Sequence, residues 1–518
     1  MAKDPTSEFS SPSATAVAGG QPAAAAIPPP GRQFFGHPVG LMTLFFTELW
    51  ERLSYYGMRA LLVLYMTAAT TAGGLGFDTE RAGAIYGLYT AAVYLLALPG
   101  GWLADKILGQ RRAVFWGGVI IALGHFALAV EDLRFFYFGL VLIVIGTGLL
   151  KPNVSTMVGE LYPEGGARRD AGFSIFYMGI NLGAFAGPLI CGWLGEKVNW
   201  HWGFAAAGFG MVVGVIQYVL GAKHLGQAGL QPNAANAEGD PEARRRTLRN
   251  LLLGVAVVAA FAVLWAIGLI PVSVQTVAGY TGAIIVGLAV AYLLSQLVAG
   301  GLDPVEKKRM IVIFVLFVFS ALFWSGFEQA GSSLNLFADR LTDRTIGSWE
   351  MPTSWLQSVN PLLIITLAPV FAWIWLALAR RKLEPSSPAK FSWGLILLGL
   401  GFGVMVWASV LTAGQSRQVG MTWLVLTYLL HTCGELCLSP VGLSTVTKLA
   451  PHRKVGQMMG VWFMSISLGN LIAGLVAGQF EKLPLPQLFG AVFATTAGAG
   501  LILALLARPI RKLMSGVH

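Results

Sequence analysis

Apolar runs long enough to cross a bilayer recur along the whole chain, and no other feature restricts its fold as sharply. A spanning helix needs about 20 predominantly apolar residues. Such runs are predicted near 41–67, 82–104, 113–130, 135–158, 172–194, 202–220, 251–270 and 277–298. They continue near 310–337, 356–378, 393–411, 421–447, 461–480 and 488–506, which makes about 14 helices by length alone. Backbone polar groups inside hydrocarbon must be satisfied within their own segment, so these runs read as helices. The composition agrees: 55% of the 518 residues are hydrophobic and only 12% are charged, whereas soluble chains carry about a quarter charged residues. The expected class is an all-α polytopic membrane protein, surrounded by lipid.

The net charge of +10 does not indicate a nucleic-acid partner. The basic residues stand in short clusters between apolar runs, without a continuous basic stripe or a recognised reading module. They sort by loop instead. Lys3, Arg32, Lys106, Arg111, Arg112, Arg168, Arg169, Lys223, Arg244, Arg245, Arg246, Arg249, Lys307, Lys308, Arg309, Arg380, Arg381, Lys382, Lys390, Lys448, Arg453, Lys454, Arg508, Arg511 and Lys512 fall on one side. The other side holds only Arg81, Arg134, Lys197, Arg340, Arg344, Arg417 and Lys482. The positive-inside rule then places both termini in the cytoplasm and the chain in the inner (cytoplasmic) membrane as a multi-pass protein.

Residues 1–37, rich in Ala, Ser, Pro and Gly, read as a disordered tail without the pattern of a cleaved signal peptide. The stretch 223–248 reads as a cytoplasmic linker. Nothing between Asn250 and Leu302 carries a charge, so 249–302 is expected to be a lipid-facing hairpin of two helices. That leaves a bundle of about six helices over 38–222, another over 303–512, and a tail at 513–518. Cys191, Cys433 and Cys437 show no metal-ligand spacing and read as small buried hydrophobes. Neither a metal nor a cofactor is expected.

Charges inside the apolar runs are costly unless they pair or line a water-filled cavity. The first run contains Glu48-Leu-Trp-Glu51-Arg52-Leu-Ser-Tyr55-Tyr56-Gly-Met-Arg59, whose polar residues share one helical stripe. Two readings compete: ion pairs that only hold helices together, or a polar translocation site. In the fourth run Lys151 precedes Pro152 and needs a carboxylate partner, which Glu48 or Glu51 supplies if the two helices face each other. Tyr177 and Asn181 lie four apart in the fifth run, and Tyr94 of the second run is placed with them.

In the second half, Trp324 and Phe327 precede Glu328. Ser358-Val-Asn360-Pro361 is expected to break its helix and expose an amide. Glu435 and Ser439 share a helical face, and Trp462 completes the set. His431 lies four before Glu435, where a histidine beside small residues is more often structural than a proton carrier. Buried cations thus belong to the first half, while the second offers only acids and an amide. Facing one another across a midplane cavity, the halves would suit a small zwitterion, its carboxylate toward Arg52 and Lys151 and its ammonium toward Glu435. Trp324, Phe327, Trp462 and the tyrosines would line tolerant pockets.

Gly101-x-Leu-Ala-Asp105-x-x-x-Gly109-x-Arg111-Arg112 resembles the loop motif of the major facilitator superfamily. Asp105 there is expected to pair with the arginines or to cap the next helix. Glu48-x-x-Glu51-Arg52-Leu53-x-Tyr55-Tyr56 resembles the ExxERFxYY motif of proton-dependent oligopeptide transporters, the peptide-transporter branch of that superfamily, with Leu53 in place of the usual Phe. Gly148-x-x-Lys151-Pro-Asn-x-Ser, the Phe176-Tyr-x-x-Ile-Asn181 stretch and Gly434-Glu435-x-x-x-Ser-Pro-x-Gly-Leu-Ser444 are similar to further motifs of the family.

The resemblance implies a major facilitator fold of two six-helix bundles with an inserted two-helix hairpin, as in bacterial members. It also implies import of di- and tripeptides together with protons, the proton being the sole coupling ion. Arg52 and Lys151 would hold the peptide carboxylate, and Asn181, Asn360 and Glu435 the amino end. Tyr56, Tyr94, Tyr177, Trp324 and Trp462, with Phe327 and Ser439, would shape the pocket. Glu48, Glu51, Arg52 and Lys151 would couple the proton, and Arg59 with Glu328 would close the outer side. The alternative substrate is another small solute, such as nitrate or an anionic metabolite. An enzyme is not expected, because the sequence offers no nucleophile–base pair or metal-ligand cluster.

Overall fold

The computed structural model describes residues 33–230, 269–414 and 416–515, together with positions 245, 246, 249, 250, 253 and 254. Six long helices come first: α1 Gly40–Thr67, α2 Thr79–Leu103, α3 Gln110–Leu128, α4 Leu133–Glu160, α5 Gly166–Lys197 and α6 Trp200–Gly221. After them run α7 Val274–Ala299, α8 Pro304–Phe327, the short α9 Ser333–Leu341 and α10 Val359–Arg380. The chain ends with α11 Ser387–Leu411, α12 Thr422–Leu449, α13 Val455–Ala477 and α14 Leu485–Leu513. Among the described residues, twelve helical segments are long and apolar enough to cross a membrane. Helix α1 matches them in length at 28 residues, but four ionisable side chains lower its apolarity. The expected span 251–270 lies almost wholly outside the described residues.

The starts of the helices follow from local chemistry. Asp78, Asp132 and Asn199 accept hydrogen bonds from the first turns of α2, α4 and α6, satisfying donors that have no partner within the helix. Asp303 and Glu306 form a capping box around Pro304 at the start of α8. Three expectations fail at helix ends. The predicted span 310–337 is interrupted: α8 stops at Phe327, a 3-10 turn covers Glu328–Gly331, and α9 follows. Pro361 does not break a helix. It sits in the first turn of α10, where a missing N–H costs nothing, and a 3-10 turn Thr353–Ser358 leads into it. Asp105 likewise does not cap α3, whose N-cap is Gly109 with φ +75°. Nor does it pair with Arg111, which donates to the backbone carbonyls of Ala228 and Gly226.

Helices α1 to α6 pack mainly on one another, with α1 against α5 and α6, and α4 against α2 and α3. In the second half α11 packs against α12 and α14, and α8 against α13 and α14. The halves meet where α2 lies along α13 and where α5 meets α10 with its preceding turn. At the first of these seams backbone touches backbone: a Cβ on Gly83 would lie 2.4 Å from the Gly474 carbonyl oxygen, and one on Gly474 would lie 2.5 Å from Gly87 Cα. Small residues are what let helices approach so closely in a membrane. Helix α7 rests against α2 and α13 through a narrow stripe of Ala278, Ile285 and Ala289. Its remaining surface is apolar and open, as are Trp373 and Leu376 on α10. Such surfaces call for lipid rather than water.

Candidate functional site

The polar stripe predicted on α1 is buried at Glu48, Glu51, Arg52, Tyr55 and Arg59, and partly exposed at Tyr56. Arg52 Nε lies 3.1 Å from Glu48 Oε1 and also donates to Glu51 Oε2. One guanidinium therefore serves two carboxyl groups of its own helix. Glu48 Oε2, Glu51 Oε1 and Arg52 Nη2 have no hydrogen-bond partner among the described residues. Buried polar atoms in that condition are costly, and here they mark the faces from which a proton or an anionic group gains most.

Lys151 does not pair with Glu48 or Glu51 as expected. Its Nζ lies 4.1 Å from the centre of the Tyr94 ring, a cation–π contact between α4 and α2. The reason is local: Arg52 sits one residue from Glu51 and four from Glu48 on the same helix, and its Nε reaches both. Lys151 is left partly exposed, with no ion pair among the described residues.

The second half contributes a compact acid–amide cluster. Asn360 Nδ2 donates to Thr432 Oγ1 at 2.9 Å and to Glu435 Oε2 at 3.3 Å. Trp324 and Phe327 meet edge to face at 5.4 Å, and Trp462 meets Phe391 at 6.1 Å. His431 is fully buried with its ring 4.9 Å from Phe402, a packing position. Ser439 is partly buried. In the first half Asn181 uses its amide N–H on the Tyr177 carbonyl oxygen at 2.9 Å, which leaves Oδ1 as an acceptor. Tyr177 itself is 42% exposed.

Tyr56 links the two groups. It lies within electrostatic reach of Arg52 and Arg59 on α1 and of Glu328 and Glu435 from the other half. Glu435 reaches Tyr177 in the same way. Charged groups of both halves thus act on Tyr56.

At the Thr67 end of α1 the halves are tied together. Arg59 Nη2 pairs with Glu328 Oε2 at 2.8 Å while Arg59 Nε donates to the Tyr86 hydroxyl at 2.8 Å. Asn335 Nδ2 donates to the Ala60 carbonyl oxygen at 2.9 Å. Glu196, near the end of α5, accepts from Thr353 N at 2.7 Å, Ser354 N at 2.9 Å and Ser354 Oγ at 2.5 Å. Trp355 and Ser358 add donations to the carbonyl oxygens of Leu189 and Phe185. Sequence reasoning missed Tyr86, Glu196, Ser354 and Thr432. The one available signal was Glu196 itself, an acid at the very edge of an apolar run.

Known proteins share this architecture and sequence. The profile of the family described as PTR2, POT family, matches residues 111–492. The peptide transporter YePEPT of Yersinia enterocolitica subsp. palearctica serotype O:3 (strain YE-P4) is 44% identical over 503 residues, covering 95% of this chain and 98% of that protein. The di-/tripeptide transporter of Lactococcus lactis subsp. cremoris is 37% identical over 498 residues, with 94% and 98% covered. A crystal structure of a POT peptide transporter in complex with alafosfalin superposes with a TM-score of 0.86 at 43% identity, covering 94% of this chain and 98% of that one. With its motifs, its helices and its full-length relatives in agreement, this multi-pass membrane chain belongs to the POT family of transporters.

Proposed function

We propose that this protein imports di- and tripeptides together with protons by alternating access. The reading is supported by the opposite charges of the two halves, Arg52 and Lys151 on one and Glu435 with its partner Asn360 on the other. A peptide is a zwitterion of matching polarity. Its carboxylate takes the guanidinium of Arg52 bidentately with Lys151 as a second cation, and its ammonium takes Glu435 and the carbonyl oxygens of Asn181 and Asn360. Tyr56, Tyr94, Tyr177, Trp324, Phe327, Ser439 and Trp462 shape the space for varied side chains. The peptide transporters among its relatives support the same substrate class. The acid at Glu435 disfavours nitrate or a simple anionic metabolite.

Proton coupling follows from the α1 trio. A proton on Glu48 or Glu51 removes one of the two claims on Arg52 and frees its fork for the peptide carboxylate. Separating a buried pair without such compensation costs about 3–5 kcal/mol, so proton and peptide favour each other's binding. The inward potential supplies about 2.3 kcal/mol per charge per 100 mV. Arg59 and Glu328 act as the outer gate.

The proposed setting is the inner membrane with both termini cytoplasmic, in keeping with the loop charges. The proposed organisation is 14 helices: bundles over 38–222 and 303–512 joined by the linker 223–248 and a hairpin over 249–302 whose second arm is α7. Uptake into proteoliposomes tests the mechanism. Glu51→Gln should abolish gradient-driven dipeptide uptake and spare counterflow, and equal loss of both in folded protein refutes the coupling role. Competition by dialanine but not by nitrate separates the two substrate readings.

A further inference from the structure

The connection between α10 and α11, the start of α11 and the ends of α12 and α14 line a cleft of about 420 Å³. It lies well away from the transport site: Lys448 on α12 stands thirteen residues beyond Glu435, about 20 Å along the helix. Glu384, Lys390, Lys448 and Arg511 supply the charges of its wall, and Ser387 and Ser444 supply hydroxyls. The Lys390 ammonium is 8% exposed as a residue and pairs with Glu384 at 2.6 Å, with the Trp375 ring centre 4.8 Å away. That pair cancels in charge, and Lys448 and Arg511 bring two further cationic side chains to the wall.

An anion with several oxygens fits such a wall, because guanidinium, ammonium and hydroxyl donors together satisfy phosphate geometry. Two surroundings decide which phosphate. The cleft opens at the end of the molecule where the Lys and Arg clusters gather. Large apolar side chains flank it: Leu383 is 65% exposed beside Glu384, and Leu443 is 44% exposed beside Ser444. A free ion has no use for those neighbours, whereas acyl chains do. Basic pockets between transmembrane helices on the cytoplasmic side bind anionic lipid headgroups. We propose that this cleft seats the phosphate of an anionic phospholipid, clamping the turn between α10 and α11 to the ends of α12 and α14.

Purified protein in detergent, titrated with phosphatidylglycerol, phosphatidylcholine or inorganic phosphate, tests the site by native mass spectrometry and thermal unfolding. Phosphatidylglycerol should bind at least tenfold more tightly than phosphatidylcholine and raise Tm, while inorganic phosphate should do neither. In Lys448→Gln/Arg511→Gln that preference should vanish with Tm in phosphatidylcholine unchanged. Each single variant should lose part of it, which covers poor yield of the double one. Equal binding of the two lipids, full preference in the variants, or equal protection by inorganic phosphate would each overturn the assignment.

Discussion

Replacing Glu196 by glutamine should loosen the turn that locks α5 to α10. The Glu196 carboxylate accepts two backbone N–H groups and one hydroxyl at 2.5–2.9 Å. Those N–H groups open a helical turn, the positive end of a local dipole. A hydrogen bond to a charged group contributes about 1.5–3 kcal/mol and a neutral one about 0.5–1.5 kcal/mol. Glutamine keeps one acceptor oxygen and turns the other position into a donor facing N–H. Glu196 is only partly buried, so water recovers some of the loss. The net change is about 2 kcal/mol, roughly a 30-fold fall in the ratio of docked to undocked turn. Hydrogen–deuterium exchange of the protein in nanodiscs reads this directly on peptides covering Thr353–Ser358, with α11 as the reference. Exchange of that segment should quicken about 30-fold in Glu196→Gln while α11 stays unchanged. An unchanged rate in folded variant would mean that Trp355 and Ser358 hold the turn alone, and the argument from Glu196 would fail.

Lys151→Ala should weaken dipeptide uptake with little change in Tm, because Lys151 makes no ion pair among the described residues. Arg52→Ala should instead lower stability by about 3–5 kcal/mol, since it leaves two buried carboxylates uncompensated. Thermal unfolding beside uptake separates the two. Glu328→Gln leaves Arg59 without its counter-charge and should widen the Thr67 end of α1, seen as a longer distance between spin labels placed there. Gly474→Ala puts a methyl group 2.4 Å from the Gly83 carbonyl oxygen, and overpacking of this kind costs about 1–3 kcal/mol. Both counterflow and gradient-driven uptake should fall together in that variant.

Sequence reading reached furthest where one helix carries the information. The polar residues from Glu48 to Arg59 follow one another at gaps of at most three residues on α1, so periodicity alone placed them on one helical stripe. The family motifs then named Arg59 and Glu328 as a pair, and the structure forms that pair. Failures came where spatial competition decides. Glu48 and Glu51 had two cations within reach in principle, and only coordinates reveal that Arg52 takes both while Lys151 turns to Tyr94. The latch between Glu196 and Ser354 joins residues 158 apart in sequence, beyond any local pattern. Apolar length also hid the halt at Phe327, since Glu328–Gly331 keeps enough hydrophobic neighbours to pass as continuous helix.

The seam of bare backbone between α2 and α13 bears on how fast the protein can cycle. Interlocked leucines must change rotamer whenever two helices shift, and each such change adds to the barrier. Gly83 and Gly87 facing Gly474 present no teeth to disengage. For the rocking proposed here, that contact works as a smooth axle, and the slow steps fall to the charged latches at its outer end.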